Sequence, residues 1–183
     1  MDLESPAWTS SAVLAHAYLL AEEWDAAHAL AAREKVLGWS STESAQGLVV
    51  GFFLAMLSGK RPDALPSNLK ELWQAVLGYS SGFGYWNEAD EKNENRALKR
   101  LKQAYAERLE TASLSRNEQE KYLAWCLDVA TQRVNAIVGE QHRGSYGKAA
   151  MLIAACAETL QLRGDGKGAA ALLEDTRNRF PRH

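Results

Sequence analysis

The chain has few β-branched residues for its length. Its 183 residues include 8 Val, 2 Ile and 6 Thr, against 30 Ala and 24 Leu. Strands depend on β-branched and aromatic side chains, whereas Ala and Leu lose little entropy in a helix. The composition therefore predicts an all-α fold and excludes a mostly-β one.

Cysteines and long apolar runs are also scarce. Two cysteines cannot form the disulfide framework of a small secreted domain. No apolar run approaches the roughly 18 to 20 residues that cross a bilayer. The first residues, Met-Asp-Leu-Glu-Ser, lack the basic-then-apolar pattern of a signal peptide. We therefore expect a cytoplasmic protein without a membrane partner.

An excess of charge of one sign is missing as well. The 21 basic and 23 acidic residues give a net charge of −2, which attracts neither nucleic acid nor an anionic membrane. Arg96, Lys99, Arg100 and Lys102 form a local basic cluster, within a segment that is also rich in acids. A solvated helix face with opposite-charge neighbours is the simpler interpretation of this segment.

Hydrophobic periodicity and capping signals predict eight helices. Ser40 and Ser115 each stand three residues before a glutamate, which is the spacing of a capping box. The expected helices cover 10–22, 24–36, 40–58, 69–78, 88–112, 115–138, 145–162 and 166–179. No low-complexity segment separates them, so we expect a single helical domain over 1–183.

Both ends of the chain carry a helix-turn-helix pattern in which small and large residues alternate at fixed spacing. The positions are Leu14, Ala15, Tyr18, Trp24 and Ala27 near the start, and Ala157, Leu160, Gly164, Ala169, Leu173 and Pro181 near the end. This pattern resembles the tetratricopeptide repeat. The first unit departs from the repeat at Glu22, where the repeat has a glycine.

The resemblance implies an irregular solenoid of antiparallel hairpins, with hairpins near 9–36 and 145–181 and an irregular middle over 40–139. An irregular helical bundle, whose hairpins use small residues where they cross, explains the same pattern. A second similarity concerns the tail from Arg143, which looks like helical C-terminal segments of some bacterial proteins with a SWIM-type zinc finger. The zinc ligands of that module are absent from this chain.

Residues suited to metal binding or catalysis are too dispersed to form a recognisable motif. Zinc needs three or four convergent ligands, and His16, His28 and the two cysteines lack the spacing of local ligand pairs. No nucleophile elbow surrounds a serine. The Walker pattern fails near Gly147, where an ordinary turn capped by Ser145 is favoured. We predict no metal, no cofactor, no catalytic residue and no enzymatic activity.

Four aromatic residues lie close together between two predicted helices. Tyr79, Phe83, Tyr85 and Trp86 fall within the glycine-containing segment 79–87. Such side chains bury a large area at little rotamer cost and dominate binding hot spots. The segment therefore either binds a partner or folds back to fill the irregular middle of the domain.

The tetratricopeptide resemblance also implies which residues face a concave binding surface. In the first unit these are Thr9, Ala12, His16, Leu19 and Leu20, and in the last they are Met151, Ala154, Glu158, Gln161 and Leu162. Because no residues suited to chemistry converge, we expect a non-enzymatic scaffold. Its partner would be another protein or another domain of a longer parent chain.

Two further partners stay open at this stage. The last repeat unit is followed by no capping helix in the sequence, so its apolar side, with Leu160, Leu172 and Leu173, is expected to be covered, with a second copy of the chain as one candidate. An accessory module of a nucleic-acid-associated protein is the alternative function. It rests on the tail similarity and the basic cluster 96–102.

Overall fold

The structure is a computed structural model that describes residues 11–35, 44–79 and 88–180. Eight α-helices make up most of these ranges, which contain no β-strand. The helices are α1 Ser11–Leu20, α2 Trp24–Ala32, α3 Ala45–Leu57, α4 Ser67–Tyr79, α5 Glu88–Thr111, α6 Arg116–Val134, α7 Tyr146–Leu162 and α8 Gly166–Arg179. The prediction of an all-α fold is confirmed.

Several helix boundaries differ from those expected. Helix α1 ends at Leu20 instead of 22, α2 ends at Ala32 instead of 36, and α4 starts at Ser67 instead of 69. At the start of α3 a local polar contact fixes the boundary. Ser44 is extended and its hydroxyl accepts a hydrogen bond from the Gly47 amide at 3.0 Å, so α3 starts after Ser44 rather than at Ser40. The expected capping box of Ser40 and Glu43 lies outside the described residues. The sixth helix was expected to run to 138, but its α-helical geometry ends at Val134 and a π-turn continues over Asn135–Gly139. The capping box of Ser115 and Glu118 at the start of α6 is confirmed.

Helix α3 lies at the centre of the protein. Its sequence, AQGLVVGFFLAML, contains no charged residue, and every residue except Gly47 is buried. A helix that is apolar all round has no face to offer to water, so neighbours must cover it on all sides. Helices α1, α2, α4, α6 and α7 provide that cover.

Aromatic rings connect α3 to its neighbours. The Phe52 ring stacks on Trp24 of α2 at a centroid distance of 5.4 Å and also contacts Trp73 of α4 and Tyr105 of α5. The adjacent Phe53 ring stacks on Tyr122 of α6 at 4.3 Å. Two consecutive residues of one helix thus contact four other helices through their rings.

The long helix α5 is attached to the rest of the protein along a narrow stripe. Tyr105 is fully buried, while Leu101 and Leu109 are half-buried against the main core. An ion pair between Arg108 and Glu22, with 2.6 Å between nitrogen and oxygen, joins α5 to the turn between α1 and α2. The outer face of α5 is left to the solvent.

The packing of the helices is that of a bundle around α3. In a solenoid each repeat contacts its sequence neighbours alone. Here α3 contacts α6 and α7, which lie far from it along the chain. The two helix pairs that resemble tetratricopeptide hairpins, α1 with α2 and α7 with α8, are present and joined by short turns. Their classification as repeats stays a prediction.

The turn between α1 and α2 contains a backbone conformation that favours glycine. Glu22 has a φ of 63°, in the left-handed region, at the position where the tetratricopeptide pattern has glycine. A side chain in this region costs about 1 to 2 kcal/mol because its Cβ approaches the neighbouring carbonyl. The turn thus holds a glutamate in a conformation that glycine adopts more readily.

Two substitutions at Glu22 separate backbone strain from the ion pair with Arg108. Both Glu22→Gly and Glu22→Ala remove the ion pair, but glycine alone relieves the left-handed strain. We expect the glycine variant to be more stable than the alanine variant by about 1 kcal/mol. This difference is the relieved backbone strain minus the larger entropy that a glycine loses on folding. Urea denaturation measures the difference. An alanine variant of equal or higher stability would show that residue 22 does not keep this conformation.

Candidate functional site

A largely apolar cavity opens between the end of α6, the start of α7 and the end of α8. Its volume is about 300 Å³, at the lower end of the range for pockets that hold a small ligand or a large side chain. The residues that line it are Val134, Val138, Tyr146, Ala149, Ala150, Ile153, Leu173, Thr176, Arg177 and Phe180. Leu173 is 44% exposed, so the cavity is open to the solvent.

The cavity forms because α7 carries small residues where it faces α8. Ala157 and Leu160 of α7 pack closely on the fully buried Ala169 of α8. Nearer the start of α7, Ala149 and Ala150 extend too little to fill the space before Leu173 and Phe180. The helices are thus in tight contact at one end of the hairpin and leave a gap at the other.

A single charge borders this apolar space. Of the described residues that line the cavity, Arg177 alone is charged. Thr176 donates its hydroxyl hydrogen to the carbonyl of Leu172 at 2.8 Å, so this hydroxyl is already engaged. The cavity therefore combines an apolar body with a guanidinium at its edge.

The three candidate residues of the first unit have different environments. Leu19 has no exposed surface and belongs to the core, so its assignment to a binding surface is corrected: α3 covers the face of α1 that carries it. Leu20 is half-buried against the same core. The His16 Nδ1 lies 2.5 Å from the Tyr105 hydroxyl of α5, and burial lowers the pKa of His16. Leu19 and His16 thus contact other parts of the protein, and the assignment of Leu20 to a binding surface stays a prediction.

Glu158, a candidate partner-binding residue on α7, instead caps α4. Its carboxylate accepts hydrogen bonds from the Asn68 amide at 3.2 Å, the Leu69 amide at 2.8 Å and the Asn68 side chain at 2.7 Å. These amides belong to the first turn of α4, where backbone donors have no partner within the helix. Glu158 is half-buried and engaged in these bonds, and its assignment to a partner surface stays a prediction. Gln161 is exposed and stays a candidate.

The aromatic candidates cannot be placed on the structure. Tyr79 is the last residue of α4, and its side chain lies outside the described part of the protein. Phe83, Tyr85 and Trp86 lie outside the described residues altogether. Both interpretations of segment 79–87, partner binding and core filling, stay predictions. The basic cluster is described, and Arg96, Lys99, Arg100 and Lys102 are all exposed.

The leucines expected to form one apolar side at the end of the chain are separated by the fold. Leu160 is buried beneath α8, Leu172 is half-buried, and Leu173 is exposed at the cavity. Leu162 adds a second exposed apolar side chain on α7, at 39% exposure. Association of two copies through this end stays a prediction.

A polar cluster joins α2 to α6 but has no free reactive group. Asp25 accepts hydrogen bonds from Lys121 Nζ at 2.6 Å and from the Tyr122 hydroxyl at 2.9 Å, and these bonds hold the pKa of Asp25 below its usual value. Burial and the contact with Asp25 raise the pKa of Tyr122. The phenol thus stays protonated at neutral pH, and the cluster serves to connect two helices.

The described residues contain no group of three or more His, Cys, Asp or Glu that could hold a metal ion. Cys126 and Cys156 are both buried and unpaired. Burial raises the pKa of the Cys156 thiol to about 12. A buried, protonated thiol is a poor nucleophile and a poor metal ligand.

At the start of α7, Ser145 was expected to cap the helix, but its side chain makes no capping hydrogen bond. A 3₁₀ turn at Arg143–Ser145 leads into α7 instead.

Sequence reasoning missed the cavity beside this helix start. The pair Ala149-Ala150 was its single visible sign, and the space depends on the angle between helices, which periodicity does not reveal.

Comparison of the chain with known protein families, with curated proteins and with solved structures gives no match. In the ranges that the structure describes, no helix has both the length and the apolar character needed to span a membrane.

Removing the Glu158 carboxylate tests its role at the start of α4. Glu158→Ala leaves the Asn68 and Leu69 amides without their acceptor, and the loss of a helix cap costs about 1 to 2 kcal/mol. Urea denaturation measures the loss. Gln161→Ala, an exposed position one turn further along α7, is the matched control and should change stability by less than about 0.5 kcal/mol. Equal losses in the two variants would contradict the capping role.

The half-buried imidazole of His16 predicts a pH dependence of stability. Because burial lowers its pKa in the folded protein, the unfolded chain binds a proton more readily. The contribution of His16 to the free energy of unfolding is therefore fully present above the ordinary histidine pKa of about 6.5, and it is lost as the pH falls below that value. Burial shifts His28 in the same direction.

His16→Gln should reduce this loss between pH 6.5 and pH 5. The substitution should lower the pH dependence of the free energy of unfolding by at most about 1.4 kcal/mol per pH unit, the value for one proton. Urea denaturation at a series of pH values measures it, and His28→Gln should remove a further part. If the wild type and His16→Gln lose stability in parallel, His16 is not the responsible group.

Proposed function

We propose that this protein is a non-enzymatic helical scaffold that binds a segment of another polypeptide, and that the segment inserts an apolar side chain into the cavity between α7 and α8. The cavity is the observation that supports this proposal. It is open, apolar and about 300 Å³ in volume, which suits one large aliphatic or aromatic side chain.

The rim of the cavity adds to the apolar contact surface, because Leu173 borders the cavity and is exposed. An apolar anchor in a pocket, with apolar residues nearby, is the usual centre of a protein–protein interface. The polar clusters elsewhere are engaged in contacts between helices, as at Asp25 with Lys121 and Glu158 with α4.

A selection from a peptide library tests this function without knowledge of the natural partner. Random dodecapeptides displayed on phage are selected on the wild-type chain and then measured on Ala150→Phe. Ala150 is an exposed residue at the cavity, so a phenylalanine there fills the space at little cost to folding. We expect the selected peptides to share a large apolar residue. They should bind Ala150→Phe at least about tenfold more weakly than the wild type, because a loss of roughly 1.4 kcal/mol of burial free energy lowers the affinity tenfold.

Ala171→Phe provides the matched control. It adds the same ring to an exposed alanine of α8 that does not line the cavity. Peptide binding to this variant should be unchanged. Peptides that bind both variants equally well would place their site elsewhere and would overturn the proposal.

A further inference from the structure

We infer that the cavity between α7 and α8 recognises an acidic partner segment, in which a carboxylate next to the apolar anchor pairs with Arg177. This inference rests on the proposed function and adds the charge of the partner to it. A neutral or basic segment with the same anchor would bind more weakly.

The position of Arg177 within the cavity is the first reason. Of the ten described residues that line the space, it alone is charged, and no acidic residue is among those ten. An apolar ligand that carries a carboxylate would place its apolar part against Ile153, Leu173 and Phe180, with the carboxylate at the guanidinium. An arginine can hold a carboxylate by two parallel hydrogen bonds, which fixes its orientation.

The second reason is that the protein does not neutralise Arg177 itself. Its helix neighbour Asp175 pairs with Arg179 at 3.1 Å. In the described part of the chain, the ion pairs do not include Arg177, although Glu174 stands one turn before it on the same helix. The guanidinium therefore remains available at the cavity edge.

The helix ends at the cavity do not set the charge of the partner. Tyr146, Ala149 and Ala150 bring the positive end of α7 to the cavity. The last turns of α6 and α8 also line it, and these ends are negative. The preference for an acidic segment therefore rests on Arg177.

Arg177 and Arg179 both lie in the last turn of α8, where a cation also stabilises the negative end of that helix. This purely structural role applies to both arginines, but Arg179 does not line the cavity. Arg179→Gln is therefore the matched control for Arg177→Gln, because it removes the same charge from the same helix turn.

A pair of fluorescent dyes measures the effect of charge directly. N-phenyl-1-naphthylamine and 1-anilinonaphthalene-8-sulfonate share one aromatic body and differ by an anionic sulfonate, which stands in for the carboxylate. We expect both dyes to bind, the sulfonate more tightly. Arg177→Gln should weaken sulfonate binding about three- to fivefold, near the upper value for an exposed ion pair, and leave binding of the neutral dye unchanged. Arg179→Gln should change neither, and added salt should reduce the preference for the sulfonate.

The peptide library gives a second measurement and distinguishes the two proposals. Peptides selected on the wild type and on Arg179→Gln should contain Asp or Glu near the apolar anchor, and those selected on Arg177→Gln should not.

An apolar anchor without acid enrichment, or a sulfonate affinity that does not depend on Arg177, would overturn the inference and leave the proposed function standing. Peptides without a common anchor would instead contradict the proposed function. Sulfonate binding that depends on Arg177, together with peptides that lack acids, would mean that the site takes small anions and would also overturn the inference.

Discussion

The burial of α3 on every side is the constraint on which the rest of the structure depends. Thirteen residues without a charge can be removed from water only if other helices cover them completely. Five helices therefore pack around one, and Phe52 and Phe53 form ring contacts with α2, α4, α5 and α6. Each of these rings buries a large apolar area, so the same two residues both stabilise the core and fix the position of four neighbours.

A helix buried to its ends leaves backbone amides that water cannot reach, and the fold supplies acceptors from distant positions. Glu34, after α2, accepts a hydrogen bond from the Gln46 amide in the first turn of α3 and another from the Ser11 hydroxyl at the start of α1. Glu158 does the same for α4 from α7. These carboxylates set the axial position of one helix against another, which apolar contact alone would leave free to slide.

The hairpin of α7 and α8 differs from this centre because no described helix fills the space between the start of α7 and the end of α8. Close contact at Ala169 and small residues at Ala149 and Ala150 leave a cavity instead of a filled core. An open apolar space costs stability, since the residues that line it lose packing partners. A partner side chain would restore those contacts, and Arg177 would give the contact its preference for charge.

The amino-acid sequence by itself determined the all-α class, the eight helices that the described residues contain, and the capping box at Ser115. Composition, 3.6-residue periodicity and capping each act over a few neighbouring residues, so they can be read from the sequence alone. The tertiary structure alone decided that Leu19 is core, that Glu158 caps α4 and that a cavity lies beside Arg177. Each of these depends on which helix lies opposite and at what angle, and that is set by contacts between residues up to about 90 positions apart, as for Glu158 and Asn68.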